Sequence, residues 1–180
     1  MKCIRVAVLV LLISCINNRE NKKTERDTKL TQKEKRNNKA NLFRLDLKLH
    51  EDFVSIKAPE KSNFELPDSS AKTAPFKLGD FNADNKEDIL VYLGACGTGG
   101  CMYGLFLKQY GNYYQLAFFD YLKNAEFKIE KNGLWTIQSS VETEPYNPSK
   151  LQVSLFKWDK KNSHYELDST YLYIDDGVEK

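Results

Sequence analysis

Residues 41–180 are predicted to fold as an all-β domain, an antiparallel meander forming a curved sheet or sandwich, behind a disordered N-terminal tether. Three observations predict it. Short apolar runs of period two recur, as in Leu45, Leu47 and Leu49 separated by Asp46 and Lys48. That alternation turns one face of a strand towards a core. Turn dipeptides separate the runs, Gly111-Asn112 and Asn132-Gly133 above all, and Asn-Gly between apolar runs is the strongest short-range hairpin signal. No stretch of 41–180 carries a convincing apolar period of 3.6 residues, the mark of a docked helix.

In chain order, Leu45 to Leu49 is the first strand, and Asp52 to Ala58 is a second, ended by Pro59. Lys61 to Ala74 reads as a polar loop with Pro67, Ser69 and Ser70. Phe76 to Leu78 leads into an Asx-rich turn, and Ile89 to Leu93 leaves it as a strand. Met102 to Lys108 and Tyr113 to Phe119 flank Gly111-Asn112 as a hairpin. Phe127 to Glu130 and Leu134 to Val141 form the next, and Leu151 to Trp158 with Tyr165 to Ile174 a third, around Asp159 to His164. This gives some eight or nine strands. Tyr121 to Glu126 is expected to form at most one helical turn.

Ahead of this domain, residues 16–40 hold only Ile16, Leu30 and Ala40 as apolar residues. Such a stretch cannot bury enough surface to offset its ordering entropy, so it reads as a tether. It carries nine Lys or Arg against four Asp or Glu, whereas 41–180 carries 16 basic and 21 acidic residues. A mildly acidic domain lacks the basic footprint of nucleic-acid binding. The basic tether is a solvated spacer, or it favours anionic head groups.

The first residues explain why a tether is needed. Lys2 and Arg5 precede an unbroken apolar run, Val6 to Ile13, which ends in Leu12-Ile13-Ser14-Cys15. That run is shorter than the roughly 20 residues that cross a bilayer and fits the h-region of a signal peptide. Leu12, Ile13, Ser14 and Cys15 resemble the lipobox of bacterial lipoproteins. The resemblance implies that 1–14 is a signal peptide, that Cys15 is diacylated and becomes the mature N-terminus, and that the protein sits in the cell envelope. An outer-membrane location is expected, with the membrane as partner through the lipid. Several acyl chains on one cysteine anchor a protein where one chain is marginal.

Of four cysteines, Cys3 leaves with the signal and Cys15 takes the lipid, so Cys96 and Cys101 remain, enclosing Gly97-Thr98-Gly99-Gly100. In an oxidising compartment this pair is predicted to form a disulfide, its tight ring accommodated by glycines. A redox pair is the alternative, but the C-x-x-C spacing is absent.

Residues 78–91 are the chemically loaded segment. Asp80, Asn82, Asp84 and Asp88 stand at relative positions 1, 3, 5 and 9, and Lys86 at position 7 offers its carbonyl. Oxygens in this alternation suit Ca²⁺, which takes six to eight of them. The segment resembles the calcium loops of FG-GAP and VCBS-type repeats, D-x-[DN]-x-[DN]-G-x-x-D between strands, and the resemblance implies Ca²⁺ as cofactor. It shares its first half with the EF-hand loop, but Val91 holds the position where that loop has Glu. Asn85 replaces the repeat's glycine, and Asn tolerates the left-handed conformation needed there. A metal-free turn stitched by Asx hydrogen bonds is the other reading.

Residues 79–101, from Gly79-Asp80-Phe81 to Cys96-Gly97-Thr98-Gly99-Gly100-Cys101, are similar to a pattern in uncharacterised bacterial envelope proteins with a C-G-x-G-G-C loop. That similarity implies a secreted β-rich domain with this disulfide and no assigned activity. No H-E-x-x-H, G-x-S-x-G or Walker loop occurs, and the two histidines, His50 and His164, lie in polar contexts. Tyr110, Tyr113, Tyr114 and Tyr146 lie at or beside turns, where exposed tyrosine favours recognition. The function expected is a non-enzymatic, lipid-anchored envelope module that recognises a protein or glycan. An inhibitor of a lysozyme-type cell-wall hydrolase, inserting Gly94 to Tyr103, is the runner-up. A metal-dependent hydrolase with Asp80, Asp84 and Asp88 as ligands is the reading from another class.

Overall fold

A computed structural model describes residues 41–48, 53–62, 64–66, 76–145 and 147–175. The expectations for the signal, Cys15, the tether, Leu49, His50 and Tyr146 lie outside these residues. The described chain is all-β. Its strands are β1 (Phe43–Lys48), β2 (Phe53–Lys57), β3 (Phe76–Gly79), β4 (Asp88–Gly97), β5 (Gly100–Tyr110), β6 (Tyr113–Leu122), β7 (Glu126–Ile129), β8 (Trp135–Glu142), β9 (Lys150–Asp159) and β10 (His164–Ile174).

They form two antiparallel sheets, one of six strands in the order β2-β1-β6-β5-β4-β3 and one of four in the order β10-β9-β8-β7. Ten described strands stand against the eight or nine expected: Phe76–Gly79, read as the lead into the Asx turn, is itself a strand paired with β4. The helical turn expected at Tyr121–Glu126 is corrected: β6 continues to Leu122, β7 begins at Glu126, and Asn124 turns the chain with φ 46°. Ser139 fixes that turn, its hydroxyl accepting from the Lys123 N–H at 3.1 Å and donating to the Lys123 carbonyl at 3.1 Å.

The meander is interrupted where the chain changes sheet between β6 and β7, and once more within the large sheet. β1 pairs with β6 at Phe43↔Tyr114 and Arg44↔Tyr113. The Gly111-Asn112 turn locks the junction: the Asn112 carbonyl accepts from the Leu45 N–H at 3.0 Å and its amide donates to Asp46 at 2.6 Å. The chain therefore passes from β2, at one edge of the large sheet, to β3 at the other. Phe64 on that crossing packs edge-on against Phe43 (4.9 Å) and Phe119 (4.7 Å).

The large sheet is buried on both faces, which explains the continuous apolar runs of its central strands. Ile89, Leu90 and Val91 on β4 are all buried, as are Leu105, Phe106 and Leu107 on β5. Ile89, Val91 and Phe106 join Phe43, Leu45 and Val54 on one side. Leu90, Leu105 and Leu107 meet Ile137 and Tyr165 of the small sheet on the other. Each such side chain contributes about 1.5–3 kcal/mol on leaving water.

Candidate functional site

Two segments frame β4, and both were singled out by the sequence. At its start lies the Asx turn, residues 80–88. The Asp80 carboxylate accepts from the N–H groups of Asp84 at 3.0 Å and Asn85 at 2.8 Å. The Asn82 side chain accepts from the Asp84 N–H at 3.3 Å. Asp84 accepts from the Lys86 N–H and the Lys86 ammonium, both at 2.9 Å. Ala83 and Asn85 take φ of 57° and 63°, so Asn85 occupies the left-handed conformation that the missing glycine would supply. Partial desolvation works against ionisation of Asp84, but the Lys86 ammonium and backbone N–H together hold its carboxyl below the usual range.

Asp88 differs from the other three. It is fully buried, and its oxygens accept from the Phe81 N–H at 3.0 Å and the Lys108 N–H at 2.8 Å. It thus ties the turn to β5. Burial is the main reason its carboxyl is pushed up to about 6, with Asp84 and Asp80 adding repulsion against the two N–H donors. Between Asp80 and Asp88 the chain drops one residue into the core. Phe81 is fully buried against Trp135, with ring centroids 4.7 Å apart. Its carbonyl accepts from the Tyr165 hydroxyl at 2.6 Å and the Trp135 N–H at 3.2 Å. Desolvation, with Asp88 nearby, raises the Tyr165 hydroxyl well above its ordinary value, so it stays a donor. Sequence reasoning passed over Phe81. The signal was present, a lone aromatic inside an otherwise polar turn.

At the far end of β4 lies the disulfide tip. Cys96 and Cys101 are bonded, their Cα atoms 4.1 Å apart, one step behind the Gly97↔Gly100 pair that carries the two-residue turn Thr98-Gly99. The pairing of β4 with β5 is irregular on both sides of Gly94, which has φ 73°, as Ala95 has φ 49°. The Tyr92 hydroxyl braces the bridge, 2.6 Å from the Cys96 sulfur and 3.4 Å from that of Cys101. Residues 95–99 are exposed.

Gly100 seats this tip. At φ 111°, a Cβ there would collide with the Leu122 carbonyl and lie 2.6 Å from the Lys123 nitrogen, whereas a Cβ at Gly97 meets nothing. Gly100→Ala is expected to lower stability by about 1–3 kcal/mol through overpacking and backbone strain. Gly97→Ala should stay within about 0.5 kcal/mol of the parent. Urea unfolding of the two variants checks this.

The tyrosines divide. Tyr110 is exposed and Tyr113 half-buried, their rings 5.3 Å apart. Tyr114 is corrected: it is buried in the core of the large sheet, because strand alternation turns it inward beside the turn. Among the described residues no three His, Cys, Asp or Glu side chains are grouped as a metal cluster. His164 Nε2 lies 3.5 Å from Glu166 at the start of β10.

No family model, curated protein or solved structure matches the chain.

A turn anchored in the core enters β4, and a crosslinked tip braced by Tyr92 ends it.

Proposed function

We propose that this chain is a non-enzymatic, lipid-anchored protein of a bacterial envelope that presents the disulfide-closed tip Gly94–Cys101 to a protein or glycan. One observation carries the reading: an exposed glycine-rich tip is held in one shape by a crosslink, a bracing hydroxyl and a seat against β6. A contact loop fixed before binding avoids much of the ordering cost of association. The lipobox-like start supports the anchor. Photo-crosslinking tests the tip. With a photoreactive residue at Thr98, a specific crosslinked species is expected in the native envelope, and with one at Lys131, in another turn, none. Equal labelling at both positions would contradict the reading.

The narrow two-residue turn also favours a second reading, insertion into the cleft of a cell-wall hydrolase. Inhibition of lysozyme by the protein, lost on Gly100→Ala, would select it.

The Asx turn is its proposed Ca²⁺ site. Asp80, Asn82, Asp84 and the Lys86 carbonyl supply hard oxygen donors on one turn, with Asp88 beneath, and the Lys86 ammonium already holds a cation's place beside Asp84. A bound ion stabilises the folded state by mass action. The thermal midpoint of the protein is expected to rise in calcium over chelator, and the rise to vanish in Asp80→Ala. An unchanged midpoint leaves only the Asx-stitched turn.

A further inference from the structure

The bridge at the tip is a reactive bond as well as a brace, and its two sulfurs are not equivalent. Cys101 pairs with Leu122 of β6 and is half-buried. Cys96 falls within the register shift between Gly94 and Gly97 and is exposed. A Cβ added at Gly94, Gly97 or Gly99 would meet nothing within 4 Å, so this side of the ring is open. A thiolate arriving from solvent reaches the Cys96 sulfur first, and access is one of the factors that set the rate of thiol–disulfide exchange.

Tyr92 supplies a second factor. A bridged sulfur carries no proton, so the Tyr92 hydroxyl is the donor, 2.6 Å from the Cys96 sulfur and 3.4 Å from that of Cys101. The Tyr92 ring stands edge-on to Tyr103 at 5.4 Å, and Tyr103 in turn packs on Phe127 at 5.4 Å. That stack needs only the rings; the hydroxyl is what the sulfurs use. A hydrogen bond to the charged form of an acid favours that form, and a more acidic thiol leaves faster.

We propose that Cys96–Cys101 is a thiol–disulfide exchange site for a dithiol reductant, with the Tyr92 hydroxyl as donor to each leaving thiolate. One thiolate of the dithiol attacks the Cys96 sulfur. A new S–S bond forms there, the Cys96–Cys101 bond breaks, and its electron pair leaves on Cys101, within reach of Tyr92. The second thiolate of the dithiol then attacks the dithiol's own sulfur in the mixed disulfide, and Cys96 leaves as a thiolate beside the same hydroxyl. The dithiol ends as a cyclic disulfide, oxidised by two electrons, and its two protons end on Cys96 and Cys101. Reverse exchange with the oxidised dithiol recloses the ring. On the reading proposed above, the exchange unlocks the contact loop.

The chemistry is read on the full chain with no partner present, so its outcome is independent of recognition by the tip. With glutathione as a monothiol probe, acid quench, alkylation and peptide mass spectrometry should find glutathione on Cys96 and the alkyl group on Cys101. With dithiothreitol at neutral pH, the bridge should open about tenfold faster in the parent than in Tyr92→Phe, which keeps the ring and loses the donor. In Cys101→Ser, alkylation of Cys96 by iodoacetamide should need a higher pH once Tyr92→Phe is added, a shift that a structural role of the tyrosine would not produce. Glutathione mainly on Cys101, equal dithiothreitol rates in the two proteins, an unshifted alkylation profile, or a bridge that opens only in denaturant would each overturn the proposal.

Discussion

Phe81→Ala is expected to lower the unfolding free energy by about 3–5 kcal/mol, the range for truncating a fully buried aromatic. The cost has three sources. The ring fills the space against Trp135, and its removal leaves a cavity between the two sheets. The neighbouring backbone is also committed: the Phe81 N–H donates to Asp88 and its carbonyl accepts from Tyr165 and Trp135. Relaxation into the cavity would disturb all three bonds, so the site collapses poorly. Phe81→Leu keeps most of the apolar volume and should recover more than half of the loss. Guanidinium unfolding of the three proteins, monitored by the fluorescence of Trp135 and Trp158, measures it. A loss below 1 kcal/mol for Phe81→Ala would show that the turn is not anchored through this residue.

Asp88→Ala is the second large effect, and it depends on pH. The substitution leaves the N–H groups of Phe81 and Lys108 without their acceptor, at about 1–3 kcal/mol each when buried. The parent carries an opposing cost. The Asp88 carboxyl is raised from 3.8 to about 6 in the folded protein, chiefly by burial. The folded state thus holds that proton more tightly than the unfolded chain does. The resulting stability is full below about pH 4 and is lost as pH rises through 6, by about 3 kcal/mol in all. The variant has no such group. The difference between parent and Asp88→Ala is therefore expected to be about 2–5 kcal/mol near pH 4 and to narrow towards pH 7. Urea unfolding at both pH values, with chelator present to exclude metal effects, measures it. A difference that grows with pH would mean that the two N–H donors outweigh burial and that Asp88 is favoured ionised.

These two residues show where local sequence reading ends. Strand positions were legible because each strand carries its own alternation or apolar run, and the hairpin turns because Gly-Asn, Asn-Gly and Asx residues mark them chemically. The disulfide was legible from cysteine number and its glycines. The place of β1 beside β6 was not, because it depends on Asn112 meeting Leu45 and Asp46 across the fold, and no local pattern encodes that choice. In the Asx turn, sequence spacing grouped Asp88 with Asp80 and Asp84 as equal oxygen donors. Folding separates them: Asp80 and Asp84 serve the outer turn, while Asp88 lies beneath it bonded to two strands. Tyr114 failed for a related reason, since proximity to a turn says nothing about which face a strand residue takes.

The tip is where structure and proposed function meet, and the bridge is what fixes its shape. Opening the loop by Cys96→Ser with Cys101→Ser restores chain entropy worth about 2 kcal/mol for so short a ring, which a ten-strand core can tolerate. The decisive measurement is the yield of the crosslinked partner from a photoreactive residue at Thr98, in the parent and in this double variant, in the same envelope. At least a tenfold fall in yield with the fold intact is the predicted result. An undiminished yield would contradict recognition by a preformed tip.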